Sequence, residues 1–165
     1  MIVTFVGISG SGKSRLSAQF AKTGAKVINP DAIRKELTGD VSDQSRNGEV
    51  FRIAHRRLDS HLKLHPDVDA VFDATNLRLE SLKTLAEIAE NNSQRLFVYV
   101  LTDSLSVDTC LMRINRDLQK GIDRAATNKR ELLERMLQKF KNVIAQLDSW
   151  AEKNPHVCTV EYKAF

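Results

Sequence analysis

Cysteine is scarce in this chain: Cys110 and Cys158 are the only two thiols among 165 residues. Two cysteines in different expected elements give no disulfide framework and no C-x-x-C metal site, so both are expected as small buried apolar side chains. Long apolar runs are missing too. The longest, Leu96 to Leu101, has six residues, far short of the roughly 20 that a membrane helix needs. The first apolar stretch begins at Ile2 with no basic leader and no small-residue cleavage site, which sets the expectation of a cytoplasmic protein with no membrane partner. Glycine (7) and proline (3) are too few for a long linker. With no repeat or low-complexity tract either, residues 1–165 read as one domain. Charge of one sign is also in short supply. Lys plus Arg is 25 against 21 for Asp plus Glu, a net charge of +4 that leans towards anionic partners without specifying nucleic acid.

What is present is an alternation of short apolar runs with longer stretches of helical period, the mark of an α/β chain around a mainly parallel, five-stranded sheet flanked by helices. The expected strands are Ile2 to Val6, Lys26 to Asn29, Asp69 to Asp73, Leu96 to Leu101 and Val157 to Tyr162. Helices are expected over Lys13 to Ala21, Pro30 to Leu37, Glu49 to Leu64, Leu79 to Glu90 and Leu105 to Leu118. In the third of these, Val50, Phe51, Ala54, Leu58 and Leu62 share the apolar face, leaving Arg52, His55, Arg56, Asp59 and Lys63 on the other. After a break over Gln119 to Ala126, Asn128 and Glu131 have capping-box spacing. A core stripe of Leu133, Met136, Leu137, Phe140, Val143, Ile144, Leu147 and Trp150 then follows.

Gly7-Ile8-Ser9-Gly10-Ser11-Gly12-Lys13-Ser14 fits the Walker A pattern GxxxxGK[ST], placed directly after a strand and opening a helix. Glycines let backbone N–H groups close on phosphates, and the helix N-terminus adds its positive end. Gly7, Ser9, Gly10, Ser11 and Gly12 would line the ATP phosphates, Lys13 would reach the β- and γ-phosphates, and the Ser14 hydroxyl would hold Mg²⁺. The third strand delivers Asp73 at its carboxyl end, where open α/β sheets bind ligands. That carboxylate suits a Mg²⁺ contact, a turn cap, or both. Thr75 and Asn76 begin the loop beyond.

Asp31 and Arg34, three residues apart at a helix start, lie on the same sheet edge. Two readings stand side by side. In one, Asp31 accepts the proton of an attacking hydroxyl and Arg34 forks onto a phosphate. In the other, Asp31 serves the helix dipole and Arg34 is solvated. Arg113, Arg116, Lys120 and Arg124 cluster before the last helix. Such cations suit a lid over a transferring phosphoryl group, approximately residues 113–127, and equally suit an ordinary helix C-terminus.

The ordered set GISGSGKS, INPDAIR, VFDATN and CLMRINR, over about Ile2 to Phe140, resembles the polynucleotide 5′-hydroxyl kinases of phage and bacterial nucleic-acid repair. The resemblance implies a P-loop kinase fold with a helical lid, and transfer of the ATP γ-phosphate to the 5′-hydroxyl of DNA or RNA. It assigns Lys13 and Ser14 to phosphate and Mg²⁺, Asp31 to the general base and Arg34 to the acceptor phosphate. Asp73 becomes the aspartate of the D-x-T-N motif, with Asn76 its asparagine on the acceptor side, and Arg113 the first lid arginine. The family's R-N-x-x-R is here Arg113-Ile114-Asn115-Arg116. That spacing leaves Arg116, Lys120 and Arg124 as contenders for the second lid position. Repair kinases are often fused to phosphatase or ligase domains, for which 165 residues leave no room. A kinase of small alcohols or nucleosides, a kinase of modified bases in DNA, and a nucleotide-dependent switch are the competing expectations. Oligomeric state is left open.

Overall fold

A computed structural model describes residues 1–122 and 129–165. Five strands, β1 (Ile2–Val6), β2 (Lys26–Ile28), β3 (Ala70–Phe72), β4 (Leu96–Leu101) and β5 (Cys158–Lys163), form one sheet in the order β2-β3-β1-β4-β5. Every pair is parallel, and β1 lies in the middle with Val3 beside Val71 on one side and Phe97 on the other. A parallel sheet buried on both faces needs strands that are apolar throughout, and all five residues of β1 are buried.

Period-two alternation sorts the strand side chains between two cores. On one face Val3, Phe5, Val71 and Leu101 pack under Leu16 and Phe20 of α1 (Lys13–Lys22). On the other, Ile2, Val6, Phe72 and Val98 pack under α2 (Pro30–Thr38), α3 (Asn47–Leu64), α4 (Leu79–Asn91), α5 (Val107–Gln119) and α6 (Arg130–Lys153). Each large aliphatic side chain fully buried here contributes roughly 1.5–3 kcal/mol. Both cysteines are buried and unpaired. No helix among the described residues is long and apolar enough to cross a membrane.

The ends of elements differ from the sequence reading for local reasons. Asn29 leaves β2 and caps α2 instead, its Oδ1 accepting from the N–H of Asp31 (2.8 Å) and Ala32 (3.2 Å) with Pro30 in the first turn. Asp69 falls outside β3, and its carboxylate holds the chain's first amine at 2.8 Å. The helix expected from Leu105 is divided. A 3₁₀ turn, Thr102–Leu105, comes first, and Ser106 caps α5 by accepting from Thr109 N–H at 3.2 Å. Asn128 and Arg124 lie outside the described residues. Helix α6 starts at Arg130, after a Lys129 that supplies no side-chain cap.

Candidate active site

All the motif residues sit at the carboxyl edge of the sheet. The glycine loop leaves β1 and is fixed from three sides: Gly7 N–H donates to Thr75 O (3.1 Å), Ile8 N–H to Ser104 Oγ (3.1 Å), and Ser11 N–H to Ile8 O (3.3 Å). Two glycines are dictated by geometry. Gly10 and Gly12 have φ of +82° and +110°, the left-handed region that side chains disfavour. A Cβ on Gly10 would lie 2.4 Å from the Cys110 carbonyl oxygen of α5, and one on Gly12 would lie 2.7 Å from the Phe165 ring. The loop therefore touches both α5, the helix expected to begin the lid, and Phe165. Lys13 opens α1 and bends back, donating to Gly7 O (3.1 Å) and Ile8 O (2.7 Å). Ser14, the next residue, is exposed in the same turn.

At the β2–α2 corner, Asp31 and Arg34 form an ion pair in which the arginine side chain is 4% exposed and the carboxylate 52%. The solvated-arginine reading is thereby overturned. Arg34 also donates from Nη1 to Val41 O (3.2 Å) and from Nη2 to Asn47 Oδ1 (2.7 Å). These contacts engage three of the five guanidinium N–H groups, while buried Nε has no hydrogen-bond partner among the described residues. A buried donor without a partner is costly.

Asp73 follows β3 and is partly buried. Burial pushes its carboxyl pKa up, while the Ser17 hydroxyl, the Lys13 charge and the Asn29 amide, 3.4 Å away, pull it down and Asp31 adds to the rise. The Ser14 hydroxyl and Asp73 carboxylate are hard oxygen donors suited to Mg²⁺. Among the described residues no cluster of three or more His, Cys, Asp or Glu forms a complete metal cage. Asn76 stands with φ of +46° and its amide nitrogen is committed to Thr4 Oγ1 (2.8 Å), Phe5 O (2.8 Å) and Ala74 O (3.3 Å). Its amide nitrogen thus ties the loop to β1, and the residue borders the cavity described below.

On the lid helix, Arg113 donates from Nη1 to Gly10 O (3.3 Å) and from Nη2 to Asp103 Oδ2 (2.7 Å). It thus lies against the glycine loop instead of ending a solvated helix. Arg116 is exposed one turn on. Both arginines border a cavity of about 1530 Å³, together with Ser9, Gly10, Gly12, Lys13, Ser14, Asp31, Arg34, Asp73 and Asn76. Gly7 and Ser11 sit beneath it as buried parts of the loop; Lys120 lies beyond it, as the cap residue of α5.

Several residues of this site carry no motif. Asp103, 11% exposed, joins Arg113 to the Phe165 N–H (3.2 Å). Phe165 borders the cavity, with the Arg15 guanidinium 5.1 Å from its ring centre. Met136, expected in the core stripe, reaches the wall, where Ser9 Oγ lies 3.8 Å from its sulfur. His55, expected on the polar face of α3, is half-buried and stacks on Phe72, ring centres 5.3 Å apart. Burial lowers its pKa, favouring the neutral imidazole. Only the three-dimensional arrangement could reveal these, since Asp103 and Phe165 lie 90 or more residues from the loop they flank.

The parallel sheet, its strand order, the glycine loop opening α1 and the flanking helices define a P-loop kinase fold. The family model AAA_33, an AAA domain, matches residues 2–143, and the chain belongs to that family. No curated protein matches it significantly in sequence. Among solved structures, a protein of the Pnkp1/Rnl/Hen1 RNA repair complex superposes with a TM-score of 0.73 at 20% identity, over 88% of this chain and 45% of its own. Kti12 from Chaetomium thermophilum, in complex with ADP-AlF3, gives 0.55 at 14% identity, over 84% of this chain and 79% of its own. A gluconokinase from Sinorhizobium meliloti 1021 gives 0.52 at 22% identity, over 83% and 73%. The chain thus spans less than half of the repair-complex protein, and at these identities the likeness establishes the fold alone.

Proposed function

We propose that this chain transfers the γ-phosphate of ATP to the 5′-hydroxyl of a polynucleotide. The observation that carries the reading is the Asp31–Arg34 pair across the cavity from Lys13. It combines an exposed carboxylate with a buried guanidinium, and both residues line the cavity. Asp31 accepts the proton of the attacking hydroxyl as the new O–P bond forms and the bond from the γ-phosphorus to the bridging oxygen breaks, releasing ADP. Arg34 holds the phosphate beside that hydroxyl, a group that a bare sugar or amino alcohol lacks. Lys13 and Arg113 balance charge on the transferring phosphoryl group. Ser14 and Asp73 would hold Mg²⁺, which supplies further charge neutralisation at the β- and γ-phosphates. The Pnkp1 likeness and the net charge of +4 support this acceptor, and residues 1–165 act as one kinase domain in this reading.

The test is an acceptor screen with γ-labelled ATP and Mg²⁺. Label should pass to 5′-hydroxyl oligonucleotides and to 3′-phosphorylated nucleosides more readily than to bare nucleosides. Transfer to gluconate or an amino alcohol, with oligonucleotides inert, would replace the reading with a small-molecule kinase.

A further inference from the structure

The cavity continues past Arg34 along one stripe of α3. Asn47, Phe51 and His55 are spaced four residues apart, so they stack on one face over two turns, about 12 Å, and all three border the cavity. The stripe begins where Asn47 Oδ1 accepts from Arg34 (2.7 Å) and ends where His55 lies nearly parallel to Phe72, interplanar angle 20°. Phe51 tilts against His55 with ring centres 6.2 Å apart. Among the described residues none hydrogen-bonds to either ring nitrogen of His55.

The half-buried imidazole on the cavity wall thus leaves its ring nitrogens to solvent or to a ligand. Its neutral form offers one donor and one acceptor. Base edges carry both kinds of group, and base faces stack on aromatic rings with little regard to sequence. Aromatic surface with an open polar edge, next to a phosphate-gripping arginine, matches a nucleotide and not a simple alcohol. Arg52 and Arg56, one residue further round the helix, are exposed alongside, where cations meet the continuing backbone of a strand.

We infer that Phe51 and His55 seat the base of the acceptor's 5′-terminal nucleotide, Phe51 by its ring face and His55 by its edge. The inference rests on the polynucleotide reading above and adds a recognition element to it. Phe51 and His55 are specificity residues, remote from the reacting atoms, so their loss falls on KM.

The experiment compares two 5′-hydroxyl oligonucleotides, identical except that one has an abasic 5′-terminal nucleotide. Wild type should show a KM on the order of tenfold lower for the base-bearing acceptor, the scale of one base stack. Phe51→Ala and His55→Ala should bring the KM ratio towards one with kcat on the abasic acceptor little changed. Phe51→Leu, which keeps apolar bulk, guards against a folding defect. General damage would slow both acceptors equally and leave the ratio intact. If wild type treats the two acceptors alike, or the variants keep its ratio, the inference fails while the acceptor reading stands. If neither oligonucleotide is phosphorylated, both fail.

Discussion

Each end of the cavity pairs an arginine with an aspartate, and the two pairs are built in opposite senses. At the acceptor end Arg34 is the buried partner, 4% exposed, and Asp31 the accessible one at 52%. At the loop end Asp103 is the more buried, 11% exposed, and Arg113 the more accessible at 22%. In the proposed reaction the more accessible member of each pair meets the reacting group; Asp103 only fixes its arginine, whereas Arg34 both fixes Asp31 and borders the cavity where the acceptor phosphate would lie. The contrast fits the proposed reaction, with a carboxylate on the acceptor side and a guanidinium on the phosphoryl-donor side. Asp103, which touches Phe165 N–H and Arg113 together, is the positioning residue of its pair.

The largest effect should come from breaking the pairs at their carboxylates. Asp31→Asn removes the proton acceptor and should lower kcat by about 10²–10⁴-fold, with ATP binding by equilibrium titration unchanged. Asp103→Asn keeps a hydrogen-bond acceptor and should cost far less, because it acts through Arg113. Equal losses in initial-rate kinetics would erase the distinction between the two ends.

Exchanging the arginines sharpens the comparison at a smaller scale. Arg113→Ala should lower kcat by about 10²–10³-fold, the size of one lost charge-stabilising donor, while moving the KM for ATP little. Arg113→Lys should recover little of it, having no planar fork. Arg34→Ala should act mainly on acceptor KM. Full kinetics on both substrates separates the two patterns, and a kcat defect alone in Arg34→Ala would argue against a phosphate grip.

Asp73, between the two ends, should give the smallest effect, one read in stability. Burial holds its carboxyl above the ordinary value of 3.8, so the folded chain binds that proton more tightly than the unfolded chain. The stability this proton contributes is complete below about pH 3.8 and is lost as pH rises through the folded-state pKa. At pH 7 and without Mg²⁺ the ionised group therefore costs stability. Asp73→Asn should raise Tm under those conditions while impairing transfer. A lower Tm would show that the carboxylate is held for structural reasons.

Strands β1 and β4 were legible to the residue: β4 is an unbroken apolar run between Arg95 and Thr102, and β1 is an apolar run with only Thr4 in it, running straight into the glycine loop. The ends of β2 and β3 were not. Asn29 and Asp69 carry β-edge spacing, yet their side chains are claimed by a helix cap and by the chain's first amine. The loop, Asp31, Arg34, Asp73 and Arg113 could be found because short motifs place them beside elements of the right kind. His55 was grouped with its charged sequence neighbours although it lies four residues after Phe51, at the border of the apolar face, and the ring of Phe72, from a strand 17 residues later, draws it inward. Asp103, Ser104 and Phe165 had no local signature; their roles exist only once β4 and β5 are laid beside β1.

The contact between Gly10 and the Cys110 carbonyl has a practical side. Cys110 is wholly buried there, and burial raises the pKa of its thiol. Cys158 in β5, also buried, is pushed up to about 11. A maleimide or disulfide reagent at neutral pH therefore meets almost no thiolate and no accessible sulfur in the native protein. Labelling must wait for a local opening, so its rate measures how often that opening occurs. The chain thus carries two built-in chemical clocks, one at the seam of loop and lid and one on the last strand. Mass spectrometry of the two labelled peptides can time each separately.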